Sequence, residues 1–111
     1  MVRHNGRVVR LPDIEKAVCE VFGLELASLQ SGEKAKRVSH PRMLAMWLAR
    51  KHTRAALSEI GNYFGGRAHS TVVSAQQKVG DWMGEQATLR IANAQCSVDE
   101  AIRRVERKLL G

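Results

Sequence analysis

The chain has 111 residues, with 18 Lys and Arg against 11 Asp and Glu, a formal charge of +7 and a pI near 10.1. That is one domain's length, and a 44% apolar fraction suffices for a packed core without disulfides or metals; the excess positive charge favours a polyanionic partner, nucleic acid before membrane. No apolar run approaches the ~18 residues a membrane span needs. The basic N-terminus lacks the apolar stretch of a signal peptide, and Cys19 and Cys96 stand apart as reduced thiols, so a soluble cytoplasmic protein is expected.

Residues 1–12 show no periodicity and read as a basic N-terminal arm or linker; Met1 as native start or as start of an excised piece stays open. Residues 13–111 read as one domain. A first helix is expected from Asp13, a good N-cap. Ile14, Val18, Val21 and Phe22 line one face of it, and Gly23 is its stop. A short helix over Leu26 to Gln30 follows, with Leu26 and Leu29 inward. Residues 31–39 form a polar loop carrying Lys34, Lys36 and Arg37. A central helix opens at Pro41, whose missing N–H suits a first turn, and runs to about Thr53. Arg42, Arg50 and Arg54 mark one basic edge of it.

Two short helices come next. Leu57 to Phe64 turns Leu57, Ile60 and Phe64 inward, Gly65-Gly66 breaks it, and His69 to Met83 turns Val72, Ala75, Val79 and Met83 inward. Two helices joined by a tight glycine turn form a helix-turn-helix, with Gly61 at their crossing. The remainder reads as helical, with Met83, Ala87, Ile91 and Ala94 weakly periodic. Ser97 to Glu100 then forms a capping box that launches a last helix carrying Val98, Ile102, Val105 and Leu109 on one face. Arg103, Arg104, Arg107 and Lys108 lie off that stripe as a solvated face. No segment reads as a strand. The fold class is all-α, a compact helical bundle containing a helix-turn-helix.

The second helix of the pair offers His69, Ser70 and Thr71 at its first turn, and Ser70, Ser74, Gln77 and Lys78 opposite its core face. In a helix-turn-helix these N-terminal positions reach base edges in the major groove, and the helix N-terminus favours phosphate. Arg42, Arg50 and Arg67 are candidates for the backbone clamp. Lys34, Lys36 and Arg37 are placed for an adjacent minor groove. Catalysis finds no support: there is no phosphate-binding loop, the four histidines lack zinc spacing, and His69 and Ser70 are adjacent on a helix and do not face each other.

The run Leu57-Ser58-Glu59-Ile60-Gly61-Asn62-Tyr63-Phe64-Gly65-Gly66-Arg67-Ala68-His69-Ser70-Thr71-Val72 resembles the signature LSxxEIGxxFGGRDHTTV of the C-terminal DNA-binding domain of the bacterial replication initiator DnaA, with two residues fewer between Leu and Glu. Pro41 to Arg50 is similar to that family's PRQxAMYLAR. The resemblance is good over residues 13–83 and loose beyond. It implies a bundle of the TrpR-like, DnaA C-terminal type that binds an asymmetric duplex site of the form TTATCCACA. It further implies box contacts from Arg67, Ala68, His69, Ser70 and Thr71, a backbone and base contact from Arg42, a minor-groove contact from Lys34, and phosphate contacts from Arg50 and Lys78. Three positions depart from the pattern: Ala68 for Asp, Ser70 for Thr and Met43 for Gln. Double-stranded DNA is the expected partner, with the isolated domain a monomer. No cofactor is expected, ATP belonging to a nucleotide-binding module elsewhere in a parent protein. The other readings are a stand-alone helix-turn-helix transcriptional regulator and a helical protein–protein interaction module.

Overall fold

The computed structural model describes residues 3–4 and 7–111, with side chains from residue 8 onward. The expected basic arm is partly structured. Strands β1 (Arg3–His4) and β2 (Arg7–Val8) pair antiparallel, His4 opposite Arg7; the side chains of Arg3 and Arg7 lie outside the described residues. Helix α1 spans Leu11–Phe22, two residues ahead of the expected start. Asp13 is not its N-cap. It sits one turn in, where its carboxylate accepts the Arg10 backbone N–H at 2.9 Å. Val9 and Leu11 are buried, so the domain core begins inside the stretch read as a linker. Gly23 ends α1 in the left-handed conformation, φ +69°, and the Leu24 N–H reaches back to the Cys19 carbonyl at 2.9 Å.

The expected helix over Leu26 to Gln30 is a single 3-10 turn, Ser28–Gln30. Leu29 is fully buried, but Leu26 is 67% exposed and does not face inward. Ala27, in the left-handed region at φ +76°, turns the chain between the two.

Helix α2 runs Lys36–His52, five residues ahead of the expected opening at Pro41. The sequence hides this start. Ala35 offers no side-chain cap, and Lys36 and Arg37 put cations at the end of the dipole that disfavours them. Pro41 removes only the hydrogen bond to the Arg37 carbonyl and is accommodated within the helix. Arg54 falls beyond the helix in an extended segment, and Arg42 is buried, so the expected basic edge does not form.

Helices α3 (Leu57–Tyr63) and α4 (His69–Gly84) form the helix-turn-helix as expected. Gly65 and Gly66 both take positive φ, +102° and +71°, which L side chains disfavour. Gly61 allows the turn to fold back onto α3: a Cβ there would lie 2.2 Å from the Arg67 carbonyl oxygen, and the Arg67 N–H donates to the Gly61 carbonyl at 2.9 Å. Val72, Ala75 and Val79 are buried on α4, and Trp82 rather than Met83 completes that face.

The segment after α4 is not helical. Strands β3 (Thr88–Ile91) and β4 (Ala94–Ser97) form an antiparallel hairpin in which Ile91 faces Ala94. Leu89 and Ile91 alternate inward, and β3 packs on α1 and on α5 (Val98–Leu110). Ser97 caps α5 by accepting the Glu100 N–H at 3.1 Å, and Val98, Ile102, Val105 and Leu109 are buried as expected. Among the described residues, five α-helices around one core keep the fold in the all-α class; the hairpins are minor additions.

Two buried polar groups tie elements together. The Glu15 carboxylate on α1 accepts the Gln30 amide at 2.8 Å and the Tyr63 hydroxyl at 2.7 Å, joining α1, the 3-10 turn and α3. Burial and that carboxylate push the Tyr63 phenol well above its usual range. At the end of α2, Lys51 Nζ and His52 Nε2 lie 2.7 and 2.6 Å from one Glu106 carboxylate oxygen of α5. Burial pushes the Glu106 carboxyl up, but the Lys51 and His52 hydrogen bonds and charges leave it below its ordinary value. Cys19 is buried and its thiol is pushed up to about 11, by burial first and by Glu15 second; Cys96 lies half-buried in β4.

Candidate nucleic-acid interface

Helix α4 has two faces because its sequence has two periodicities. Val72, Ala75 and Val79 point into the core, while His69, Ser70, Thr71, Ser74 and Lys78 are exposed on the other side. Ala68 is the N-cap residue, with extended backbone (φ −66°, ψ 154°), and its methyl group caps nothing. The first amides of the helix are therefore open for an acceptor. Val73, at 44% exposure, lies on this solvent side of α4, where an apolar side chain can meet a thymine methyl. Sequence reading passed it over because Val72 beside it claims the core position. Its signal was the i+4 spacing from His69.

A cleft of about 230 Å³ between α2 and α4 gathers half of the expected site residues. Met43, Met46 and Ala75 make it mainly apolar, and Arg42, Arg67, Thr71, Ser74 and Lys78 also line it. Positive charge dominates here. His40 packs against Trp82 with ring centroids 4.8 Å apart, and its pKa is lowered by burial first, then by Lys36 and Lys78. Lys34 and Arg50 are exposed, on the loop before α2 and on its C-terminal half. Among the described residues, Lys34, Arg50 and Lys78 make no ion pair with a carboxylate, so their charges are available to an external anion.

Two expected contact residues are placed differently. Arg42 is 6% exposed, and its Nε and Nη2 donate to the Leu29, Ser31 and Glu33 carbonyls at 2.9, 3.0 and 3.0 Å. Burial and the neighbouring Arg67 lower its pKa, against the pull of Glu33. Arg67 is half-buried; it donates to the Ser31 carbonyl at 2.9 Å and to the Phe64 carbonyl. Sequence spacing placed Arg42 on a surface edge because α2 was expected to open at Pro41, which would leave Arg42 in its first turn, whereas the helix begins at Lys36.

A match to the family described as the bacterial dnaA protein helix-turn-helix covers residues 11–79. The chain belongs to the bacterial DnaA helix-turn-helix family. Three proteins called chromosomal replication initiator protein DnaA illustrate the relationship. That of Wolbachia pipientis wMel is 39% identical over 79 residues, 71% of this chain and 17% of the relative. That of Anaplasma marginale is 37% identical over 89 residues, 80% and 19%. That of Paraburkholderia phymatum is 36% identical over 84 residues, 76% and 16%. The chain thus matches less than a fifth of the length of these relatives. The DnaA family match begins at Leu11, the first residue of α1, and ends at Val79 within α4. It therefore contains the helix-turn-helix, the Arg42 and Arg67 cluster and the cleft. The β3–β4 hairpin and α5 lie outside it.

Proposed function

We propose that this chain is the origin-binding element of a bacterial replication initiator, recognising double-stranded DNA at DnaA-box-like sites. Helix α4 enters the major groove, with His69, Ser70, Thr71 and Ser74 toward base edges, and Lys34, Arg50 and Lys78 on the backbone and the neighbouring minor groove. The observation that carries this reading is the solvent face of α4, polar along its N-terminal half with Lys78 one turn further on, and built on a buried apolar face. The domain works as a single copy on the nucleoid, because an asymmetric site needs no twofold partner. It performs no chemistry, and any ATP dependence belongs to the rest of a longer initiator.

The test is fluorescence anisotropy of a labelled duplex carrying TTATCCACA against a scrambled duplex, at near-physiological and raised salt. A preference of about 1,000-fold or more for the box is expected. Affinity should fall steeply with salt as phosphate contacts release counterions. Equal binding to both duplexes would reject the box. Binding to neither would reject DNA recognition and bring a protein partner forward.

A further inference from the structure

The carbonyl of Ser31 accepts from two arginines of different elements, Arg42 Nη2 at 3.0 Å and Arg67 Nη2 at 2.9 Å. Arg42 also holds the Leu29 and Glu33 carbonyls on either side. The end of the 3-10 turn and the loop after it are thus fixed along residues 29–33 by guanidinium groups, with Leu29 the one buried apolar anchor of that strip. The helix-turn-helix turn presses on the same strip: a Cβ on Gly65 would stand 2.6 Å from the Gln30 carbonyl oxygen. The next residue along the loop is Lys34, exposed and one residue ahead of Ala35, the N-cap of α2.

Resting on the DNA-binding reading above, we infer that Arg42 and Arg67 are positioning residues that lock the 29–33 loop onto the helix-turn-helix turn and so hold Lys34 in fixed register with α4. Donor arithmetic supports this role over a direct phosphate contact for Arg42. Three of its five N–H donors are spent on carbonyls inside the protein. A backbone clamp needs little more than a point charge, whereas bridging three carbonyls needs a planar fork that lysine lacks. The two guanidiniums also converge against their mutual repulsion, an arrangement that serves geometry rather than charge pairing. Major-groove reading by α4 and flank reading by Lys34 then behave as one rigid unit, and the orientation of an asymmetric site is set by the protein's own backbone.

The experiment measures affinity for a panel of duplexes changed one base pair at a time through TTATCCACA. Lys34→Ala first identifies the positions whose discrimination depends on Lys34. Arg42→Lys, which keeps the charge, should lose discrimination at those same positions by about fivefold or more, and leave the positions read by α4 unchanged. In the double variant, Lys34→Ala should then add almost nothing. Because Arg42→Lys also unpairs carbonyls and weakens the fold, a second variant inserts Gly-Gly between Glu33 and Lys34. That insertion leaves the guanidinium clamp whole and cuts its connection to Lys34. It should reproduce the same position-selective loss with an unchanged melting temperature. Wild-type behaviour of the insertion variant, a uniform loss across the panel, or losses that add to those of Lys34→Ala would each overturn the clamp. Absence of box preference in the unmodified protein would instead be a failure of the DNA-site reading, and the clamp would fall with it.

Discussion

Ala68 and Gly61 show how single side chains set the helix-turn-helix. Ala68 occupies an N-cap position with no side-chain acceptor. Ala68→Asp supplies one, next to open amides and the positive end of the α4 dipole. It should raise stability by about 1 kcal/mol in urea unfolding. The same carboxylate can accept from a cytosine amine, so it should also sharpen preference at a C·G position in a competition series of single-base variants. Unchanged competition would break the link between position 68 and cytosine. At Gly61 two effects oppose each other. Helix propensity alone favours Gly61→Ala by about 1 kcal/mol. The new Cβ would stand 2.2 Å from the Arg67 carbonyl oxygen, which is backbone and has no flexible end to swing away. Sterics should win, with destabilisation of about 1–3 kcal/mol, read as a lower urea midpoint with little change in slope.

At the scale of elements, the reading of the sequence succeeded where periodicity was long and failed where it was short. Helices α4 and α5 were legible because three or more turns of apolar spacing agree with a glycine turn and a serine cap, and the two-turn α3 because Gly65-Gly66 marks its end. The β3–β4 hairpin was not. Met83, Ala87, Ile91 and Ala94 mimic a helical spacing, while the true strand signal is only Leu89 and Ile91 in alternation. Its turn carries no Asn-Gly or Asp-Gly signature, because Ala92 adopts φ +54° in its place. An L residue in that region costs roughly 1–2 kcal/mol, and glycine gives back part of it as unfolded-state entropy. Ala92→Gly should therefore raise stability by about 0.5–1 kcal/mol in chemical unfolding. A loss would show that the side chain matters to the turn. The start of α2 was hidden for a different reason. It has no cap and unfavourable first-turn charges, so only packing of Val38 and Pro41 specifies it.

For the whole molecule, α1, α2 and α5 form the scaffold on which the helix-turn-helix is held, and their junctions are polar as well as apolar. The Lys51–His52–Glu106 cluster bolts α2 to α5. Because the folded Glu106 pKa lies below its ordinary value, the unfolded chain takes up the proton first as pH falls. The cluster's stabilisation is fully present above the ordinary carboxylate range and is lost as pH falls through the folded value. Glu106→Gln should thus lower stability near pH 7, and its deficit against the parent should shrink between about pH 5 and 3. A deficit constant with pH would mean that packing, not charge, joins these helices. The candidate interface was legible as a list of residues, since exposure on α4 follows from its core spacing. The inward turn of Arg42 was not, since it depends on carbonyls of a loop whose path no local pattern encodes.

The uncapped beginning of α4 also has a temporal side. In the free protein the amides of His69 and Ser70 have neither a helical acceptor nor a side-chain cap, so they should exchange with deuterium at nearly the rate of an open chain, while Val79 and Trp82, deep in the same helix, exchange only through larger openings. Phosphate or base acceptors arriving at that first turn would close those amides. On the proposed reading, the backbone of the residues that meet the DNA would then gain its hydrogen bonds only in the complex. Part of each binding event would be spent on bonding those amides, and a domain built this way would release a wrong sequence quickly because that bonding is never completed.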